Sequence, residues 1–182
     1  MRWLLFALLP LAWGHQPARL VTDYDVENPY ISYAVNGSFV TGDETFVVHL
    51  TYDRGFALPL ELLTEKRRGL EGHRPMYAVV GPGLPPPTAE ELAMLPAALD
   101  DGQGVFVDRN ADAERLVVFE SVMRRYYWST GATALALDPG DYQVWVWSPE
   151  GTTGDFVLGL GVEEDFSGGV GGLFEDWGIY AY

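Results

Sequence analysis

The sequence predicts an all-β protein, a β-sandwich or jelly roll of roughly eight to ten short antiparallel strands with one short helix. Three observations carry that expectation. Apolar residues alternate at period two in short runs, clearest in Thr45–Tyr52 and in 140–160. Clusters of Gly, Pro, Asn and Asp separate the runs. A single capping-box pattern is present, and no strand–helix–strand spacing points to a parallel sheet.

Met1–Gly14 has one basic residue, an apolar run and the small residues Ala12 and Gly14, the pattern of a secretory leader. Its apolar run is far shorter than the roughly 20 residues of a membrane span. Cleavage after Gly14 would make His15 the new N-terminus. Residues 15–166 are then expected to form the sandwich, and 167–182 a glycine-rich connector with an aromatic tail. Ala18–Thr22 reads as a short first strand and Asp23–Pro29 as a turn-rich acidic stretch. Ile31–Val35 alternates and runs into Asn36-Gly37, a turn or bulge signal. Thr41–Glu44 is a turn. Thr45–Tyr52 places Phe46, Val48, Leu50 and Tyr52 on one face.

Phe56–Leu63 is apolar, but Pro59 assigns it to an edge or bulged strand. Glu65–Pro75 is a charged loop holding four of the eleven basic residues. Met76–Val80 is a continuous strand, and Gly81–Pro87 an irregular crossover. Thr88-Ala-Glu-Glu91 opens a short helix that stops at Pro96 and would lie across an open end of the sandwich. Val105–Val107, Leu116–Phe119, Arg124–Trp128 and Ala132–Leu137 are further strands. Asp138–Leu160 reads as two strands joined by a wide loop at Pro149, Gly151 and Gly154, a closing β-hairpin. Tyr142, Val144 and Val146 point inward on its first strand, and Phe156, Leu158 and Leu160 on its second.

With 182 residues the chain suits one domain. Net charge is −15, and about −16 without the leader. That balance repels phosphate backbones and anionic lipid, so neither nucleic acid nor membrane is the expected partner. There are no cysteines, which excludes disulfides and thiolate chemistry. No cofactor is expected.

Gly140-Asp-Tyr142-Gln-Val144-Trp-Val146, followed by Gly154-Asp-Phe156-Val-Leu158, resembles the end of the bacterial pre-peptidase C-terminal domain. That family shows a Gly-x-Tyr-x-Val-x-Val strand, a turn and Gly-x-Tyr-x-Leu. Gly42-Asp43-Glu44-Thr45-Phe46 resembles its early Gly-Asp-x-Asp-x-Phe/Tyr strand, with Thr45 in place of the second Asp. The resemblance implies an exported, jelly-roll-like accessory sandwich. Family members usually trail a secreted peptidase or other hydrolase and assist secretion or bind substrate. Here no peptidase precedes the domain, so a stand-alone accessory module is expected.

Candidate chemistry is sparse. No Gly-x-Ser-x-Gly elbow, His-Glu-x-x-His helix or phosphate-cradling loop is present. The expectation is a non-catalytic protein that binds an extracytoplasmic protein or glycan. The candidate ligand residues are aromatic. Trp145 and Trp147 share the outward face of one strand roughly 7 Å apart, and Tyr126 and Trp128 could extend their platform. The competing reading, favoured here, is that Leu173, Phe174, Trp177, Ile179 and Tyr180 of the tail cover this face. Asp108, Asn110, Asp112 and Glu114 have donor spacing like a calcium loop, but Ala113 and Phe119 stand where the loop requires Gly and Glu, so a solvated acidic loop is expected. Two alternatives remain. One is periplasmic copper bound by the mature amine and imidazole of His15, completed by His49 or His73. The other is a hydrolase with a loop-built site.

Overall fold

The computed structural model describes residues 16–19, 22–108, 115–120 and 124–161. Twelve strands and one helix lie among them. The first strands are β1 (Gln16–Arg19), β2 (Asp23–Asp25), β3 (Tyr33–Phe39), β4 (Thr45–Tyr52), β5 (Phe56–Glu65) and β6 (Met76–Gly81). The helix α1 (Ala89–Met94) precedes β7 (Gly104–Val107), β8 (Leu116–Glu120), β9 (Arg125–Ser129) and β10 (Thr133–Leu137). The last two strands are β11 (Gly140–Trp147) and β12 (Gly154–Leu160).

They form a β-sandwich. One sheet runs β2-β4-β11-β6-β7; the other runs β1-β3-β12-β5-β9-β8, with β10 also beside β5. The all-β expectation holds, with more strands than expected and two parallel pairs, β1 with β3 and β2 with β4. β2 falls in the acidic stretch that reads as a turn. Its burial is slight, so hydrophobic alternation is absent and only pairing with β4 defines it.

The expected closing hairpin is not a hairpin. β11 pairs with β4 and β6, whereas β12 pairs with β3 and β5 in the opposite sheet. The connection is an arch between sheets. The side-chain assignment survives, because Tyr142, Val144 and Val146 meet Phe156, Leu158 and Leu160 in one buried core. Alternation reports which face is buried, but not whether the next strand lies beside it or across from it. Ser148 and Thr152 brace the arch: the Thr152 N–H donates to Ser148 Oγ at 2.9 Å, and their hydroxyls lie 3.0 Å apart.

Asn36-Gly37 makes no turn. Gly37 lies within β3 opposite Phe156, and a Cβ there would sit 2.3 Å from the Phe156 ring. The glycine is a seat for the aromatic ring, which packs with Phe39 and Phe46 at 5.2 and 5.1 Å. Nor is β5 an edge strand. β12 flanks it from Leu60 to Thr64, while β10 and β9 flank its other side. Pro59 is tolerated because the β12 register stops at Leu60 and leaves that flank open.

Helix α1 begins with the predicted capping box. Thr88 accepts from the Glu91 N–H, and the Glu91 carboxylate accepts from the Thr88 N–H at 2.8 Å. It does not lie across an open end. Met94, with Leu95 and Leu99 beyond it, packs on the outer face of the first sheet.

Tyr142 locks the start of β11. Its hydroxyl is shared between the carbonyls of Asp138 (3.0 Å) and Pro82 (3.1 Å), in the manner of a tyrosine corner. Its ring lies against Gly81, where a Cβ would come within 2.3 Å. Tyr142→Phe keeps the ring and loses only the hydroxyl, so it should cost about 1 kcal/mol. Gly81→Ala displaces the ring and should cost about 1–3 kcal/mol. Urea denaturation of both variants checks the order; equal costs would mean that the ring contact is not tight.

Candidate functional site

The four aromatic side chains singled out from sequence fall on two different sheets. Trp145 and Trp147 lie on the outward face of β11, as their alternation with Tyr142, Val144 and Val146 requires. Yet they are only 6% and 5% exposed. Met76, Ala78, Val80, Val105 and Val107 flank them on the same face, and Met94, Leu95 and Leu99 cover them. The two indoles are thus the centre of a second apolar layer, and the platform expected there is corrected to a core. The cover is α1 and the segment after it. The tail proposed for that role lies outside the described residues. Trp145 Nε1–H donates to Gln143 Oε1 at 2.7 Å, so its polar atom is satisfied.

Tyr126 and Trp128 stand instead on β9, at the far side of the other sheet. Register builds a ribbon around them. Phe119 of β8 is directly opposite Tyr126, and Val117 is opposite Trp128. Residues directly opposite and two apart share a face, so Val117, Phe119, Tyr126 and Trp128 form one apolar strip. The Phe119 and Tyr126 rings are 5.0 Å apart, and both residues are more than half exposed. Tyr127, between Tyr126 and Trp128 in sequence, faces inward and is buried.

Arg115 completes the strip. Its guanidinium lies 4.0 Å from the Trp128 ring centroid, a cation–π contact. It is held there by two N–H groups donated to the carbonyls of His73 (3.1 Å) and Glu71 (2.8 Å). Those carbonyls belong to the charged 66–75 loop, which the Lys66 N–H ties to the Tyr126 carbonyl at 2.8 Å. Arg125 reaches Glu65 at 3.4 Å. Backbone strain adds to this end of the sheet: Arg124, before β9, has φ 54°, a left-handed value that L side chains seldom adopt.

His73 anchors the loop from beneath. The imidazole is buried, with Nδ1 3.0 Å from Thr152 Oγ1 and the ring 5.7 Å from that of Phe39. It makes no metal site with His49, whose Nε2 is 2.6 Å from the Asp23 carboxylate. Among the described residues no three His, Asp or Glu side chains gather as a metal site. His15 and residues 109–114 of the acidic loop lie outside the described residues. Asp108 is buried, and its N–H donates to the Tyr77 carbonyl at 3.0 Å.

A cleft of about 710 Å³ opens between the 42–45 turn, α1 and Trp147. It contains Glu44, but that carboxylate is a structural anion. It accepts from the Val40, Thr41 and Gly42 N–H groups at 2.7–2.8 Å. Those bonds, led by Thr41, hold its pKa at about 2, which removes it as a proton acceptor at neutral pH.

No family model matches the chain. None of the curated proteins compared with it matches either. Among solved structures, the chain is similar to the pre-peptidase C-terminal domain of collagenase from Bacillus anthracis. The identity is 13%, over 80% of this chain and 95% of that chain, with a TM-score of 0.38. The sandwich architecture stands on the strand pairings themselves.

Val117, Phe119 and Arg115 are the members of the strip that sequence reading missed. The strands at 116–119 and 124–128 were visible as apolar and aromatic runs, but pairing Phe119 with Tyr126 requires the register of β8 on β9. Arg115 required the fold of the 66–75 loop.

Burial pushes the His73 imidazole below its ordinary 6.5, against the opposing carboxylate of Asp155. The unfolded chain therefore takes up this proton first as pH falls. Stability is unaffected by His73 well above pH 6.5 and declines below it, down to the depressed folded value. His73→Phe keeps the ring contact and removes the proton. Urea midpoints at pH 8 and pH 5 should fall further for the parent than for this variant; parallel falls would mean that His73 is not titrating.

Proposed function

We propose that the chain is an exported, non-catalytic accessory module that binds glycan through the outer strip of β8 and β9. The observation that carries this reading is the exposed, register-matched pair Phe119–Tyr126 beside Trp128 and Arg115. An apolar strip left in water at such exposure marks an interaction surface. Flat aromatic faces in a row suit the apolar faces of sugar rings, and a fixed guanidinium offers donors to their hydroxyls or carboxylates. Export is supported by the leader pattern of residues 1–14. No helix among the described residues is long and apolar enough to cross a membrane.

An extracytoplasmic protein partner is the second class that would use this strip, and the same measurement separates them. Tryptophan fluorescence and calorimetry against neutral and uronic-acid oligosaccharides should show saturable binding. Tyr126→Ala and Trp128→Ala should each weaken it about tenfold, the loss expected for about 1.4 kcal/mol. Trp147→Phe, in the covered layer, should leave it unchanged. No response to any sugar would turn the reading towards a protein ligand.

A further inference from the structure

The edge of the second sheet combines three features. β8 is the last strand, paired only with β9, so its far side has no partner strand among the described residues. It is apolar and exposed: Leu116, Val117 and Phe119 are 60%, 49% and 55% accessible. Basic residues also gather in the segments next to it. Residues 65–74 and 115–125 hold seven of the eleven basic residues against three acidic ones, net +4. The other 161 residues carry four basic and twenty-three acidic residues, net −19. A bare apolar edge is an aggregation hazard that proteins ordinarily blunt or cover.

Residues 162–182 of this chain are its chemical complement. They contain five acidic residues and no basic one. Leu173, Phe174, Trp177, Ile179, Tyr180 and Tyr182 make the last ten residues strand-prone and aromatic. We infer that 173–182 adds as a further strand to the open side of β8 in the same molecule, its apolar side chains on Leu116, Val117 and Phe119 and its carboxylates among the surrounding arginines.

The span permits it. β12 ends at Leu160, and the open side of β8 lies beyond β5 and β9. Four strand spacings amount to about 19 Å. The eleven residues 162–172 reach about 36 Å when extended, well beyond that crossing. On the opposite sheet the tryptophan face is already covered by Met94, Leu95 and Leu99. The tail and the glycan of the proposed function would share Val117 and Phe119; the two readings stay distinguishable because the disulfide and the amide exchange below report on the tail alone.

The chain has no cysteine, so introduced pairs report cleanly. With Val117→Cys and Ile179→Cys together, mild oxidation of the full chain should give a monomeric disulfide, identified by mass after digestion. Thr51→Cys with Ile179→Cys, on the other sheet, should give little. Amide exchange of 116–120 in the full chain should be at least tenfold slower than in the triple variant Phe174→Asp, Trp177→Asp, Ile179→Asp. Equal exchange in the two chains would overturn the inference, as would a disulfide that forms equally from both sheets. A disulfide found only in dimers would overturn it in favour of a second copy. Oligosaccharide binding by the triple variant is read separately and bears on the glycan reading alone.

Discussion

The contact on which the fold depends is the meeting of β11 and β12 across the sandwich. Each strand is flanked on both sides by others of its own sheet. Their inward side chains, Tyr142, Val144 and Val146 against Phe156, Leu158 and Leu160, are at most 2% exposed. Full burial of each such side chain is worth about 1.5–3 kcal/mol. With no disulfide available, this layer and its aromatic neighbours supply the cohesion. The arch at 148–152 fixes the relation between the sheets, and His73 ties the charged loop to that arch.

A second layer decides what is left for function. The outer face of β11 would present two tryptophans to water if the sandwich were only two sheets thick. Helix α1 and the segment after it fold back over it, so that sheet is buried on both sides near its centre. The other sheet has no such cover at β8 and β9 among the described residues. Apolar side chains and most of the protein's positive charge therefore coincide at one end of an otherwise acidic molecule. That asymmetry sets a locally basic segment on an otherwise acidic molecule.

Much of this was legible in the residues. Period-two alternation located β4, β11 and β12, short apolar runs located β6, β7, β8 and β10, and Thr88 with Glu91 located the helix. The division of Tyr142, Val144 and Val146 from Trp145 and Trp147 was also correct. What alternation does not carry is the identity of the neighbouring strand. For that reason the arch read as a hairpin, β5 read as an edge, and Gly37 read as a turn when its role is to receive Phe156. The site suffered the same loss. Tyr126 and Trp128 were found by type, but their grouping with Trp145 and Trp147 failed because the two pairs lie on different sheets. Their true neighbours, Phe119 and Arg115, come from cross-strand register and a loop carbonyl.

The place of β11 and β12 in the chain has a consequence for biogenesis. Both sheets are centred on strands made after residue 139, so β3, β4, β5 and β6 each await a partner strand not yet synthesised. Folding relies on long-range pairing, which forms slowly and late. Neither sheet is complete until these last two strands join it.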